Sequence, residues 1–392
     1  MATQAARGYN DPINGTDSDI GTQLATFYYQ KQALIEKRKD QVFMQLSDTT
    51  NLPKHFGKTI KRFHYIPLLD DANINSQGID ASGASITNGN LYGSSKDIGT
   101  ISGKLPTLTE FGGRVNRVGF KRKEIEGSIE KFGYFQEYTQ ESMDFDSDAD
   151  LAMHINREML NGAYEMTEAA LQIDILNSAG VVKFAGTATS ATTINENAII
   201  SYGDIMRLNI DLDNNRTPKN TTMITGTRNI DTRVIPSARV AYCGSELLPT
   251  MKAMKDLHNN PAFISVEHYA AGATVLNHEA GSIDQTRIVI VPEMLKWEGG
   301  GATTTDTTIY TTGGKADVFP FLIVGEKSFQ TIGFQTNGKT VKFVIYHKKP
   351  GEATADRNDP YGEQGFMSIK WYYGFMALRP ERIGLIKTAA KL

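Results

Sequence analysis

A mixed α+β fold with projecting arms is the class this sequence predicts, and three observations predict it. Apolar residues recur at helical spacing for about thirty residues between 147 and 179. Short runs rich in β-branched and aromatic residues, "RVAYC", "TRIVIVP" and "DVFPFLIVG", punctuate the second half of the chain. Between Asp70 and Gly113 lie eight glycines, scattered serines and asparagines and no sustained period, with strand-like runs on both sides.

In chain order, the first twenty residues are rich in Gly, Asn, Asp and Thr and read as a flexible arm. Thr22 to Leu46 turns helical, with Leu24, Phe27, Leu34, Ile35, Val42, Phe43 and Leu46 as candidate buried positions. "HFGKTIKRFHYIPLL" reads as a strand behind a glycine. The segment 70–113 is too long for an ordinary loop, since connections beyond about 15 residues are functional or disordered. Its flanks, residues 58–68 and "RVGFKRKEIEGSIEKFGYFQEY", describe a two-stranded arm thrust out from the body. Such an arm has too little core to stand alone and needs a neighbour.

"DFDSDADLAMHI" places Asp144, Asp146 and Asp148 where a calcium loop has its first three ligands. Such a loop needs glycine at its sixth position and a bidentate glutamate at its twelfth, and here stand Ala149 and Ile155. The aspartates instead start a helix. Ser147 and Asp150 are spaced as a capping box, and Asp148 and Asp150 meet the positive end of the helix dipole. The expected buried stripe is Leu151, Ile155, Met159, Gly162, Met166, Ala170, Ile173 and Leu176, and the expected polar face is Asn156, Arg157, Asn161, Glu165, Glu168 and Gln172. Gly180 closes the run. Gly162, costly in an exposed helix by about 1 kcal/mol, implies a close approach to the sheet beneath.

Residues 181–200 read as strand and loop, "SYGDIMRLNIDLDNN" as a short helix, and 238–345 as short strands with helices near 245–257 and 293–297. "EGGGATTTDTTIYTTGGKAD" is a surface loop by composition. Gly333–Thr340, "GFQTNGKT", fits the phosphate-loop pattern, but a phosphate loop must open a helix. The next residues, "VKFVIYH", are strand-like, and Asn337-Gly338 reads as a hairpin turn.

Chemistry is sparse. The net charge of -3 argues against a surface built throughout for nucleic acid. The single cysteine, Cys243, excludes an intrachain disulfide framework and comes after an apolar run, as a buried small hydrophobe does. His258, His268 and His278 lie ten apart, with no cysteine pair and no zinc spacing. The N-terminus has no apolar segment of the secretory kind, and the longest apolar run, "VFPFLIVG", is far short of a membrane span. The basic run Arg114, Arg117, Lys121, Arg122 and Lys123 reads as a solvated ribbon face or a contact with a partner's acidic residues, with a nucleic-acid face as the alternative. No catalytic constellation, cofactor motif or metal set is visible.

The order of these segments resembles a known family. "KFGYFQEYTQESMDFDSDADLAMHINREMLNGAYEMTEAALQIDILNSAG" is similar to the strand, polar turn and long spine helix of tailed-bacteriophage major capsid proteins. "NPAFISVEHYAAGATVLNHEAGSIDQTRIVIVPEM", "KADVFPFLIVGEKSFQTIGF" and "DPYGEQGFMSIKWYYGFMALRPERIGLIKTA" resemble the middle and end of the N-four-type podophage coat proteins. Tyr361 departs from that family, which often has Leu there, as does the spacing around "EQG". The resemblance covers most of residues 50–390 and implies the Hong Kong 97-type capsid fold. It implies an N-terminal arm (1–50), an extended loop (51–120), a peripheral domain (121–200 and 330–365) with spine helix 147–179, and an axial domain (201–329 and 366–392). It further implies a homo-oligomer of hexamers and pentamers in an icosahedral shell around double-stranded DNA, touched only weakly and without sequence preference. Portal, scaffolding and decoration proteins are the implied partners. The subunit would be assembled in the host bacterial cytoplasm and reside in the virion, with no membrane and no cofactor. Asn88, Tyr92, Lys96, Lys104, Arg114, Arg117, Lys121 and Arg122 are the candidate inter-subunit contacts, and Lys96 and Lys104 carry no motif that marks a covalent cross-link. An encapsulin-like cellular compartment shares the fold and is the alternative, and a phosphate-loop nucleotide-binding protein is the more distant one.

Overall fold

The computed structural model describes residues 42–53, 55, 57–65, 122–145, 151–219, 221–224, 232–235, 238–269, 276, 278–334, 343–351, 355 and 359–391. Statements of structure below concern these residues. The expected arm, the Thr22 helix before Val42, the glycine-rich segment and the Ser147–Asp150 cap lie outside them.

The chain runs β1 (Asp48–Leu52), β2 (Thr59–Tyr65), β3 (Arg122–Thr139), α1 (Gln140–Phe145) and α2 (Leu151–Ser178). β4 (Val181–Phe184), α3 (Tyr202–Asn214), β5 (Thr221–Ile224), β6 (Thr232–Ile235), β7 (Arg239–Cys243) and α4 (Leu248–Lys252) come next. Then come β8 (Phe263–Ser265), β9 (Glu279–Ile283), β10 (Thr286–Ile290), β11 (Thr311–Thr312), β12 (Lys315–Ala316) and β13 (Phe319–Val324). β14 (Phe329–Phe334), β15 (Val344–Lys348), β16 (Gln364–Ala377) and β17 (Ile383–Thr388) complete the fold.

Two sheets organise it. The first has the order β1-β14-β16-β3-β2, with β15 also on β16, and the second β4-β17-β13-β7-β10-β9-β8. β13 reads "FPFLIV" and is buried at every position, as expected of a strand covered on both faces. Leu322 and Val324 join one core with Val240 and Tyr242 of β7. Phe319, Phe321 and Ile323 join another with Leu208, Leu212 and Met251. The second sheet is therefore a middle layer between α2 and the pair α3 and α4. α3 starts where Ser201 and Asp204 form a capping box, with Asp204 Oδ2 accepting from the Ser201 N–H at 3.0 Å.

The spine helix α2 shows where the expected stripe holds and where it turns. Met159 is buried, Ile155 is packed against the core, and the Tyr134 hydroxyl of β3 donates to the Met159 carbonyl. A Cβ on Gly162 would lie 3.0 Å from the Tyr134 oxygen, so a strand-borne ring fills the space the glycine leaves. Further along, Met166 and Ile173, expected in the core, are 52% and 49% exposed, while Glu168 and Gln172, expected on the polar face, are 4% and 2% exposed. The buried row is Met159, Ala163, Thr167, Leu171 and Ile175, spaced by four. At about 3.6 residues per turn such a row winds by about 40° at each step. The physical reason is oblique seating: one apolar core joins Trp371 and Tyr373 of the first sheet to Leu385 and Tyr242 of the second, with α2 across both. Its buried face must rotate as its neighbours change. Glu168 Oε1 accepts the backbone N–H groups of Val42 and Phe43 at 2.9 and 2.7 Å, and the Phe43 ring rests on Tyr242.

Three more expectations are corrected. Residues 293–297 form no helix, because Trp297 exchanges both backbone hydrogen bonds with Val318 at 2.9 and 3.0 Å. The tract 298–317 contains a hairpin, β11 to β12, turned by Gly313 and Gly314 at φ 61° and 75°. The strands on either side of residues 335–342 do not pair with each other. β14 pairs antiparallel with the end of β16 and β15 with its beginning, on the edge opposite β3, so the two lie in line, while Asn337-Gly338 itself lies outside the described residues. β16, which holds residues 365 and 366, stays in the first sheet to Ala377, and β4 belongs to the second sheet through its pairing with β17.

Candidate subunit interface

The 18-residue strand β3 outruns its sheet. Residues 128–139 pair with β16, whereas 122–127 pair only with β2, forming a two-stranded ribbon. Its root is anchored by Ile60, Ile125 and Ile129 against Leu52, Ile332 and Met376. Gly127 lets the ribbon cross β14, since a Cβ there would meet the Ile332 and Met376 side chains at 2.7 and 2.8 Å. Beyond the root little is covered: Phe63 and Tyr65 are 48% and 55% exposed. Lys61 pairs with Glu126, which holds its ammonium above the ordinary lysine range. The Arg122 guanidinium sits 4.3 Å over the Phe63 ring.

Beside the ribbon's root is a cleft of about 820 Å3 between β2, the turn Glu326–Lys327 and the segment Leu378–Arg382. Arg62, Lys327, Arg379 and Arg382 line it with two carboxylates, Asp48 and Glu326. Arg62 Nη1 donates to Gln330 Oε1 at 2.7 Å, and Arg382 Nη1 to the Glu326 carbonyl at 3.1 Å, so two of the guanidiniums are held in place.

Of the candidate contacts named from sequence, Arg122 stands exposed at the ribbon's first pair, opposite Tyr65. Asn88, Tyr92, Lys96, Lys104, Arg114, Arg117 and Lys121 lie outside the described residues. Sequence reasoning missed Phe63 and Tyr65, whose signal was their alternation with Arg62 and His64 on a strand expected to project. It also missed Lys327 and Arg379, which meet Arg62 only through the sheet's topology. Enzyme chemistry finds little footing among the described residues. No group of three His, Cys, Asp or Glu side chains is placed there to hold a metal, and burial pushes the Cys243 thiol up to about 12. No described helix is long and apolar enough to cross a membrane. The strand after Gly333–Thr340 is β15, not the helix a phosphate loop requires.

The described residues thus combine a ribbon with little cover of its own and one long helix spanning two sheets. Solved phage capsids are similar to this chain in fold. The Ralstonia phage GP4 capsid matches with a TM-score of 0.53 at 12% identity, covering 96% of this chain and 98% of that one. The cyanophage Pam1 capsid matches at 0.56 and 12%, covering 95% and 99%. The head structure of Helicobacter pylori bacteriophage KHP40 matches at 0.54 and 9%, covering 97% and 99%. The fold is the Hong Kong 97-type capsid fold. Residues 122–388 match the family described as phage capsid protein. The major capsid protein of Pseudomonas phage KPP21 is 63% identical over 386 residues, 98% of this chain and 97% of that protein. The chain belongs to the phage capsid protein family, and its work is to form a phage's shell.

Proposed function

We propose that this subunit closes into hexamers and pentamers that tile an icosahedral shell around the double-stranded DNA of a podophage-type virus. The observation that carries the reading is the β2/β3 ribbon, with Phe63 and Tyr65 about half exposed. A two-stranded ribbon is at best marginally stable alone, so a second copy must supply its cover. Contacts between unlike patches generate rings when the rotation closes. In this reading residues 1–50 are an arm, 51–120 the extended loop, and Asn88, Tyr92, Lys96, Lys104, Arg114, Arg117, Lys121 and Arg122 contacts between copies. On the same reading the passage between peripheral and axial domains lies between Ala377 and Ile383, supported by the chain's change of sheet there. The subunit acts without catalysis or cofactor. Portal, scaffolding and decoration proteins are its partners, and packaged DNA touches it weakly, in keeping with the net charge of -3. Assembly takes place in the host bacterial cytoplasm, and the finished location is the virion. Electron microscopy of the purified protein, alone and with its scaffolding protein, is expected to show closed shells with sixfold and fivefold capsomers. Small monodisperse particles under every assembly condition would overturn the reading.

A further inference from the structure

We propose that the basic cleft at the root of the β2/β3 ribbon receives the acidic segment Asp144–Asp150 of a second copy of the chain. The inference rests on the shell reading and deepens it by naming the two surfaces that meet.

The cleft's volume of about 820 Å3 lies within the range of about 300–1,000 Å3 that encloses a whole ligand, so it suits a short peptide segment better than a single ion. Four cationic side chains face two carboxylates there, with His64 as a further titratable group, and the balance is positive. Asp48 and Glu326 inside the cleft argue for a protein partner. A nucleic-acid backbone is tracked by a groove of one sign.

The chain itself supplies the complement. Glu141, Asp144, Asp146, Asp148 and Asp150 crowd into ten residues, and no Lys or Arg occurs between Lys131 and Arg157. Glu141 and Asp144 are exposed on α1. The two features sit at opposite ends of β3. Ile125 lines the cleft, Thr139 leads into α1, and the strand between them spans about 45 Å at 3.3 Å per residue. An extended strand of that length holds Glu141 and Asp144 away from the cleft of their own subunit. Between copies the two features form a head-to-tail contact of unlike patches, the kind that closes rings. Charge pairs of this type set register and speed encounter more than they add affinity, and salt weakens them.

The test is charge reversal at each end and at both. Lys327→Glu with Arg379→Glu reverses the cleft. Asp144→Lys with Asp146→Lys reverses the segment and spares Asp148 and Asp150, which the sequence spacing marks as helix-capping residues. Each double variant is expected to slow shell assembly more than tenfold by light scattering at low salt. The chain carrying all four substitutions is expected to recover to within about threefold of wild type, because the same pairs are re-formed with opposite sign. Thermal unfolding of each soluble subunit separates misfolding from lost contact, and wild-type assembly should slow as salt rises. Wild-type rates in both double variants, or no recovery in the fourfold variant when all subunits fold, would overturn the contact. Normal shells from the cleft variant that fail to retain DNA would overturn it in favour of a nucleic-acid surface. Wild-type protein that forms no shells at all would overturn the shell reading itself, and with it this contact.

Discussion

Replacing Glu168 with alanine is expected to destabilise the subunit by about 2–6 kcal/mol. One carboxylate oxygen accepts two backbone N–H groups, from Val42 at 2.9 Å and Phe43 at 2.7 Å, and all three residues are buried. Each buried donor left unpaired costs about 1–3 kcal/mol, which sets the range. Glu168→Gln keeps an oxygen in place and loses only the charge, and charge-assisted bonds are roughly twice as strong as neutral ones, so its cost should be about 1–2 kcal/mol. The Phe43 ring, 1% exposed and 5.3 Å from Tyr242 between centroids, makes the coupling measurable. Phe43→Ala alone should cost about 3–5 kcal/mol. Combined with Glu168→Ala it should cost at least about 1 kcal/mol less than the sum, because both act on one segment. Denaturant unfolding of the purified subunit reads the energies, and limited proteolysis ahead of Val42 reads release of the chain that enters there. Equal costs for Glu168→Ala and Glu168→Gln, or both within about 0.5 kcal/mol of wild type, would refute the anchor.

Gly162→Leu should impair folding or shell yield, since its side chain meets the Tyr134 hydroxyl, and wild-type yield would count against the seating described. Gly162→Ala should be partly rescued by Tyr134→Phe, which removes the crowded oxygen; thermal melting of the pair measures it. Leu171→Ala should cost about 2–5 kcal/mol and Ile173→Ala less than about 1, a contrast that denaturant unfolding resolves and that stems from 0% against 49% exposure. Asp213→Asn should lower the melting temperature at pH 7. Burial alone would raise the Asp213 pKa, but Arg239 and Lys219 outweigh it and hold the carboxyl below its usual range. Its stabilisation is therefore present above the unfolded value of about 3.9 and lost as pH falls through the lower native one, so melting curves of variant and wild type should converge in that acid window.

Much of the local structure was legible because its causes are local. Ser201 and Asp204 start α3 three residues apart, Thr59–Tyr65 alternates as a strand, and apolar spacing marks α2 as a helix. Gly313-Gly314 carried a hairpin signal as strong as Asn337-Gly338, yet only the first turns between strands that pair with each other. A turn signal reports that the chain can reverse, while strand partners depend on which edge is free. The candidate interface was legible in half. The projecting flanks and the acidic run stand in the sequence, but Arg62, Lys327 and Arg379 are far apart along the chain.

By itself, then, the sequence determined the α+β class, the long helix, the projecting ribbon and the likeness to phage coat proteins. Each of these depends on residues a few positions apart or on their order. Tertiary structure alone decided that the buried face of α2 turns, exposing Met166 and Ile173 while drawing Glu168 inward. It also set β14 and β15 in line along β16 and assembled a basic cleft from three distant segments. The reason is that burial and pairing are properties of neighbours, and periodicity along one element assumes a single flat neighbour. α2 has two sheets beneath it, at different points along its length.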